Sequence, residues 1–298
     1  MRRSRASPGR GCGDFDRARR AIVQPAKFEF ARARSLGEAA TILRQASGSA
    51  KVIAGGQSLG PMLNLRLARP SVLVDITAIP ELTRIEEDGD GVMIGACVTT
   101  SDLEDGRARV DGLPILATVA AGIAYRAVRN RGTVGGSLCH ADPAGDWLPV
   151  LCALAAECVV TDGSRVRRVP IQGFVTGAFE VMLEGAELLQ AIRIPRPSRA
   201  ARCGYYKVSR KAGEFALASA AVLFDREGER FRAVIGATQG RPIVVEDARS
   251  ILRGVPQPGG AVELDATAAG ALLRRAQLPA HMRLYTTALV RAAAQAMA

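Results

Sequence analysis

A chain of 298 residues has room for about two domains with sizeable cores, and 48% hydrophobic residues with only 4% aromatic point to a soluble mixture of helix and strand. No apolar run reaches the roughly 20 residues of a transmembrane helix, and six cysteines without a C-x-x-C pair, beside two histidines, give no metal-ligand spacing, so reduced, mostly buried thiols in a cytoplasmic protein are expected. The net charge of +11 does not point to nucleic acid: residues 1–24 carry seven Arg against Asp14 and Asp16 and so hold +5 of it, the remainder is scattered beside acids, and aromatics are too few for a stacking platform.

Along the chain, the arginine-rich segment 1–24 lacks an apolar core, so no secretory signal is expected there and its composition predicts a disordered basic extension. Structure is predicted to start near Pro25, with a short strand at Lys27-Phe28-Glu29-Phe30. Ser35-Leu36-Gly37-Glu38 is a capping box ahead of a helix whose apolar face is Leu36, Ala39, Ala40 and Leu43. A strand at Lys51–Ala54 runs into Gly55-Gly56-Gln57-Ser58-Leu59. Strands follow at Val72–Ile76 and Val92–Ala96, with Gly89 and Gly91 marking a turn between them. Leu113-Pro114 opens a helix to about Ala121, proline being tolerated where its missing N–H costs nothing. A second glycine pair stands in Thr133-Val134-Gly135-Gly136-Ser137, and Asp142-Pro143 starts a helix leading into Trp147–Ala156.

Two prolines in Ile194-Pro195-Arg196-Pro197-Ser198 interrupt any regular element and divide the chain into domains at 25–197 and 198–298. Beyond the break come three strand-like stretches, Gly204–Ser209, Leu217–Phe224 and Phe231–Thr238, with Gly228 turning the last two. Helices are predicted at Glu246–Leu252, Thr267–Gln277 and Tyr285–Met297. Strands followed by helices make a small α+β domain with a three-stranded sheet.

Each glycine pair reads as a strand entering a loop with bare backbone N–H groups and a hydroxyl, Ser58 or Thr133, beside them. Glycine lets the chain turn through positive φ and lets an anion approach without a Cβ in the way, and two such nests suit a diphosphate. G-x-G-x-x-G, G-x-x-x-x-G-K-[ST] and H-E-x-x-H are all absent, so a dinucleotide would be held on another scaffold.

Ala54-Gly55-Gly56-Gln57-Ser58-Leu59 with Pro61-Met62-Leu63, Leu65-Arg66-Leu67 and Leu73-Val74-Asp75-Ile76 resembles the FAD-binding subunit of the molybdenum hydroxylases, the group of aerobic carbon monoxide dehydrogenase and xanthine dehydrogenase. Thr133–Ser137 through Ala141-Asp142-Pro143-Ala144 to Asp146 resembles the second flavin motif of that family, and Leu188–Pro195 and Tyr206–Lys211 its later landmarks. The resemblance runs from about Pro25 to the C-terminus. It implies an α+β fold: an FAD-binding domain of the vanillyl-alcohol-oxidase type, in two α+β subdomains, followed by the small C-terminal α+β domain.

By the same resemblance Ala54, Gly55, Gly56, Gln57, Ser58 and Leu59, with Thr133, Gly135, Gly136 and Ser137, would hold the FAD diphosphate. Asp142 and Asp146 would lie beside the cofactor, Leu189 would pack near the isoalloxazine, Lys207 would lie near the flavin and Phe215 would cover the ring. Read from residue type alone, Asp146 serves equally as a helix cap, Lys207 as a solvated lysine, and Leu189 and Phe215 as core. Where relatives read Gly-Asp-Tyr, this chain has Gly213-Glu214-Phe215, keeping a ring and losing a hydroxyl. Cys139 stands where a small residue is usual and reads as an inert buried thiol. The implied partners are an iron–sulfur small subunit with 2Fe-2S clusters and a molybdopterin large subunit, in a dimer of heterotrimers that delivers electrons to NAD or quinone. The alternatives are a stand-alone FAD-dependent oxidoreductase and a basic binding module, the latter leaving both glycine pairs unexplained.

Overall fold

The computed structural model describes residues 24–107, 112–253, 260, 263–276, 278 and 282–298. The basic segment up to residue 23, expected to be disordered, lies outside the described residues, as does Gln277 at the expected end of a helix.

The first layer is a parallel sheet of β1 (Glu29–Arg32), β2 (Ala50–Ile53) and β3 (Val72–Asp75) in the order β1-β3-β2. Helix α1 (Leu36–Gln45) connects β1 to β2 and buries Ala39 and Ala40. Ser35 caps it by accepting from the Glu38 N–H at 3.2 Å, but the Glu38 carboxylate reaches back to the N–H of Arg34 (2.8 Å), one residue earlier than a capping box requires. After β2 the chain turns into the short helix α2 (Leu59–Asn64).

The second layer is an antiparallel sheet of β4 (Ile85–Asp88), β5 (Gly91–Gly95), β6 (Glu157–Thr161), β7 (Val166–Pro170) and β10 (Leu188–Pro195), in the order β4-β5-β10-β6-β7. The turn at Gly89 therefore joins β5 to β4, a strand absent from the predicted elements. Central β10 has a bulge at Gln190, where its register against β6 shifts between Leu189 and Ala191. Helices α3 (Thr100–Glu104), α4 (Ile115–Gly122), α5 (Arg126–Arg129), α6 (Val134–His140) and α7 (Trp147–Ala153) lie between β5 and β6 in sequence. Their apolar residues Leu116, Leu138, Trp147 and Leu151 are buried with Ile94, Ile192 and Ile194 in the main core. A short helix α8 (Ile171–Phe174) and the hairpin β8 (Val175–Gly177) with β9 (Glu180–Val181) close this part.

Past the two prolines, β11 (Arg202–Val208), β12 (Ala218–Asp225), β13 (Arg230–Gly236) and β14 (Ile243–Val245) form an antiparallel sheet in sequence order. The three expected strands are there, and β14 makes the sheet four-stranded. The helix expected over Glu246–Leu252 is instead one 3-10 turn, Ala248–Ile251, running into β15 (Leu252–Arg253), which pairs with β16 (Glu263–Leu264). Every residue of β12 is buried, since α7 packs on one side of the sheet and α10 (Met282–Met297) on the other, while α9 (Ala266–Arg275) lies beside α10. Tyr205, Ala221 and Val234 join the main core, so the C-terminal sheet is fused to the preceding domain. Among the described residues no helix is long and apolar enough to cross a membrane.

Candidate functional site

The two glycine segments, about eighty residues apart in sequence, meet in space. A Cβ placed on Gly55 would lie 2.0 Å from the Arg131 carbonyl oxygen and 2.9 Å from Gly132 Cα, and one on Gly136 would lie 4.0 Å from Ala54 Cβ. Only glycine permits so close an approach of two backbones. In the first segment Gly56 has φ +70°, and the Gln57 side-chain amide donates to the Gly55 carbonyl at 3.0 Å. Among the described residues none of the N–H groups of Gly55, Gly56, Gln57, Ser58 and Leu59 donates to an acceptor in the chain. Ser58 stands at the N-cap of α2 without using its hydroxyl there. This loop is a concave run of open donors, the arrangement that receives a phosphate.

The second segment is different, and the expected strand-to-loop nest is corrected here. Thr133 bridges Thr99 and caps α6, so Val134 to Ser137 form the first turn of a helix. The N–H of Val134 donates to Val98 O (3.1 Å), that of Gly135 to Ala96 O (2.9 Å), that of Gly136 to Thr133 Oγ1 (3.0 Å) and that of Ser137 to Thr133 O (3.0 Å). These amides are engaged inside the protein. Gly135 is there because a Cβ would meet the Ala96 backbone at 2.6 Å. The hydroxyl protons of Thr133 and Ser137 are what this segment retains for a ligand.

At the far end of α6 the chain reverses through Ala141, at φ +51°. Asp142 then accepts from the Ala144 N–H at 2.9 Å, which closes an Asx turn. Asp146 occupies the N-cap of α7 but makes no capping bond. With 6% of its surface exposed, its Oδ1 accepts from Tyr205 Oη at 2.6 Å and lies 2.8 Å from Lys207 Nζ. Lys207 is thus a buried ion-pair partner and not a solvated lysine. Its ammonium faces Asp146 without the alignment of a hydrogen bond and has no hydrogen-bond partner in the described chain. Asp146 Oδ2 likewise accepts nothing there.

Neither glycine segment nor any later landmark singles out Tyr205. The available signal was its spacing from Lys207: residues i and i+2 of a strand share a face. Burial pushes the Tyr205 phenol well above its usual pKa, and the Asp146 charge adds to the shift, so it remains a proton donor. Burial likewise pushes the Cys139 thiol up to about 12, which fits an inert thiol.

Leu189 is buried in the main core beside the β10 bulge, where Gln190 Oε1 is buried without a partner. Phe215 is the opposite case, 66% exposed in the loop that bridges back to Ile123 through Gly213 (φ +80°). A Cβ on Gly213 would meet Ala124 O at 2.5 Å, so this loop lies against the backbone next to Tyr125, itself 72% exposed.

The chain offers open amides and a free hydroxyl at one end, and an ammonium and a carboxylate oxygen lacking partners at the other. Helix α6 and the turn after it lead from Thr133 to Asp146 in sequence, and a Cβ on Gly145, beside Asp146, would lie 3.7 Å from the Ser137 hydroxyl of that helix. A ligand that satisfies both carries a phosphate and a polar ring. FAD fits this donor set.

Comparison with known proteins agrees. The family model described as the FAD binding domain in molybdopterin dehydrogenase matches residues 26–197. The carbon monoxide dehydrogenase medium chain of Hydrogenophaga pseudoflava is 38% identical over 256 residues, covering 85% of this chain and 89% of that one. The solved carbon monoxide dehydrogenase from H. pseudoflava that lacks the Mo-pyranopterin moiety superposes with a TM-score of 0.79 at 32% identity, covering 91% of this chain and 98% of that one. Quinoline 2-oxidoreductase from Pseudomonas putida 86 gives a TM-score of 0.79 at 31% identity, covering 92% of this chain and all (100%) of that one.

Proposed function

Because this chain belongs to the family of FAD-binding domains of the molybdopterin dehydrogenases, with FAD as its cofactor, we propose that it is the electron-transfer subunit of a multi-subunit molybdenum hydroxylase. It receives electrons from iron–sulfur clusters of a small partner subunit and passes them through FAD to an external acceptor, NAD or quinone. Substrate is oxidised in a molybdopterin-containing large subunit, and the assembly is a dimer of heterotrimers in the cytoplasm. The observation that carries this reading is the presence of both the open amide loop and the Asp146–Lys207 pair in a chain as long as a medium subunit.

Bound FAD supplies one- and two-electron redox chemistry that no side chain provides. The residues bind and orient it. The N–H groups of Gly55 to Leu59 and the Ser58 hydroxyl hold the diphosphate, with Thr133 and Ser137 offering hydroxyls from the facing helix. Lys207 and Asp146 hold the polar edge of the ring, Leu189 backs it from the core, and Phe215 covers it from the exposed side. Asp142 shapes the loop between the two ends.

Reconstitution tests the proposal. The isolated chain should be yellow, accept electrons from small reductants and show no substrate-dependent dye reduction. Adding the iron–sulfur and molybdopterin subunits should create that activity. Robust turnover by the single chain would replace the subunit reading with a stand-alone flavoenzyme. At the diphosphate loop, Ser58→Ala should weaken FAD binding about tenfold, as befits loss of a hydrogen bond to a charged group, with the fold intact.

A further inference from the structure

We infer that Tyr205 is a positioning residue of the flavin site: it holds Asp146 by one oxygen so that the other oxygen and the Lys207 ammonium are presented together to the ring of FAD. This rests on the FAD-site reading above and adds a residue to it.

The geometry is specific. The phenol donates to Asp146 Oδ1 at 2.6 Å and the ammonium lies 2.8 Å from the same oxygen, which leaves Oδ2 without a partner among the described residues. A lysine alone would not fix the carboxylate, because an ammonium is a point charge around which the group can rotate. The phenol O–H···O contact is at the short length typical of a charge-assisted bond and has one direction. It selects one rotamer of Asp146, and that side chain has given up the cap of α7 to adopt it. The strand that carries Tyr205 and Lys207 is itself immobilised. A Cβ on Gly204 would lie 1.9 Å from the Ala292 carbonyl oxygen of α10, so β11 and the helix are in backbone contact directly beside Tyr205. Ser219, opposite Lys207 in β12, places a buried hydroxyl without a hydrogen-bond partner next to the pair. Neither Lys207 nor Ser219 gives Asp146 a directional donor; Tyr205 does.

The consequence is geometric. Without the phenol the Asp146 carboxylate is free to turn, so its second oxygen and the Lys207 ammonium are no longer presented together. An ammonium facing the ring with its carboxylate turned away favours reduced, anionic flavin, so the midpoint potential of the bound cofactor rises.

The test uses the full chain carrying Tyr205→Phe, which keeps the ring and removes only the hydroxyl. Its apo form should bind FAD about tenfold more weakly in a fluorescence titration, and its bound flavin should have a raised midpoint potential. In an Asp146→Asn background the same change should have no further effect on either quantity. Incorporating 3-fluorotyrosine at position 205 leaves packing nearly intact and makes the phenol a stronger donor, so it should shift the potential in the opposite sense, and the test survives a Phe variant that folds poorly. Unaltered affinity and potential in Tyr205→Phe and in the fluorotyrosine protein, while Asp146→Asn alters both, would overturn the positioning role and leave the site standing. If Asp146→Asn and Lys207→Met also leave FAD binding unaltered, the error lies in placing the flavin ring at this pair.

Discussion

At the scale of single residues, the glycines of one segment make different demands. Gly55 lies against the Arg131 carbonyl, whereas Gly60, in α2, has nothing within 4 Å of the place a Cβ would take. Gly55→Ala should therefore destabilise the apo-protein by about 2 kcal/mol through overpacking, and Gly60→Ala should be neutral or stabilise it by about 0.5 kcal/mol. Thermal unfolding of the two apo variants checks the contrast. The same geometry shows why part of the site was legible in sequence and part was not. A glycine pair beside a hydroxyl describes equally an open anion loop and a capped first helical turn. Only the acceptors brought in from Ala96 and Val98 decide that Thr133–Ser137 is the second. Asp146 and Lys207 were readable as candidates through the family motif, and the structure brings them within 2.8 Å of each other. Tyr205 was not, since its role depends on a partner 59 positions away.

At the scale of elements, the sequence announces strands that bury an apolar face and conceals those held by charge. β4, with the sequence Ile85-Glu86-Glu87-Asp88, is such a strand. Arg193 of β10 reaches Asp88 at 2.6 Å and also pairs with Asp90, Arg168 of β7 reaches Asp88 at 3.0 Å, and Arg196 pairs with Glu87. None of these long-range partners can be inferred from a local window. The stretch 246–252, expected to be helical, holds a single 3-10 turn that Asp247 caps by accepting the Arg249 N–H at 3.0 Å, and the turn gives way to β15, where Leu252 pairs with Leu264 of β16. The hairpin of β12 and β13 yields a pH prediction. Asp225 is fully buried, which alone would push its carboxyl pKa up, but the Ser198 and Gly228 N–H groups (both 3.0 Å) and Arg230 (2.7 Å) outweigh burial and hold it at about 2. A folded-state pKa below the unfolded value means that this stabilisation is complete above about pH 4 and is lost as pH falls toward 2. Its size is about 2 kcal/mol. Asp225→Asn should remove that much stability at neutral pH and flatten the acid limb of a stability–pH curve between pH 4 and 2, measured by urea unfolding.

At the scale of the whole molecule, the cofactor should stabilise the fold that holds it. Free FAD at about 100 times its dissociation constant should add about 2.7 kcal/mol, seen as a rise in Tm on adding FAD to apo-protein. A second expectation concerns the contact of α10 with β11. Gly204→Ala should force the Ala292 carbonyl away and cost about 3 kcal/mol, with a matching loss of flavin content in the purified protein. That contact also fixes when in the life of the chain the flavin can be loaded. The open amide loop emerges from the ribosome early, with residues 55–59, but the strand bearing Tyr205 and Lys207 lacks the helix that covers its other face until residues 282–297 have been made. On the proposed site, a nascent chain stalled before that helix would carry the open amide loop without a finished Asp146–Lys207 pair, so FAD capture by ribosome-bound chains should be seen only after residues 282–297 have been translated.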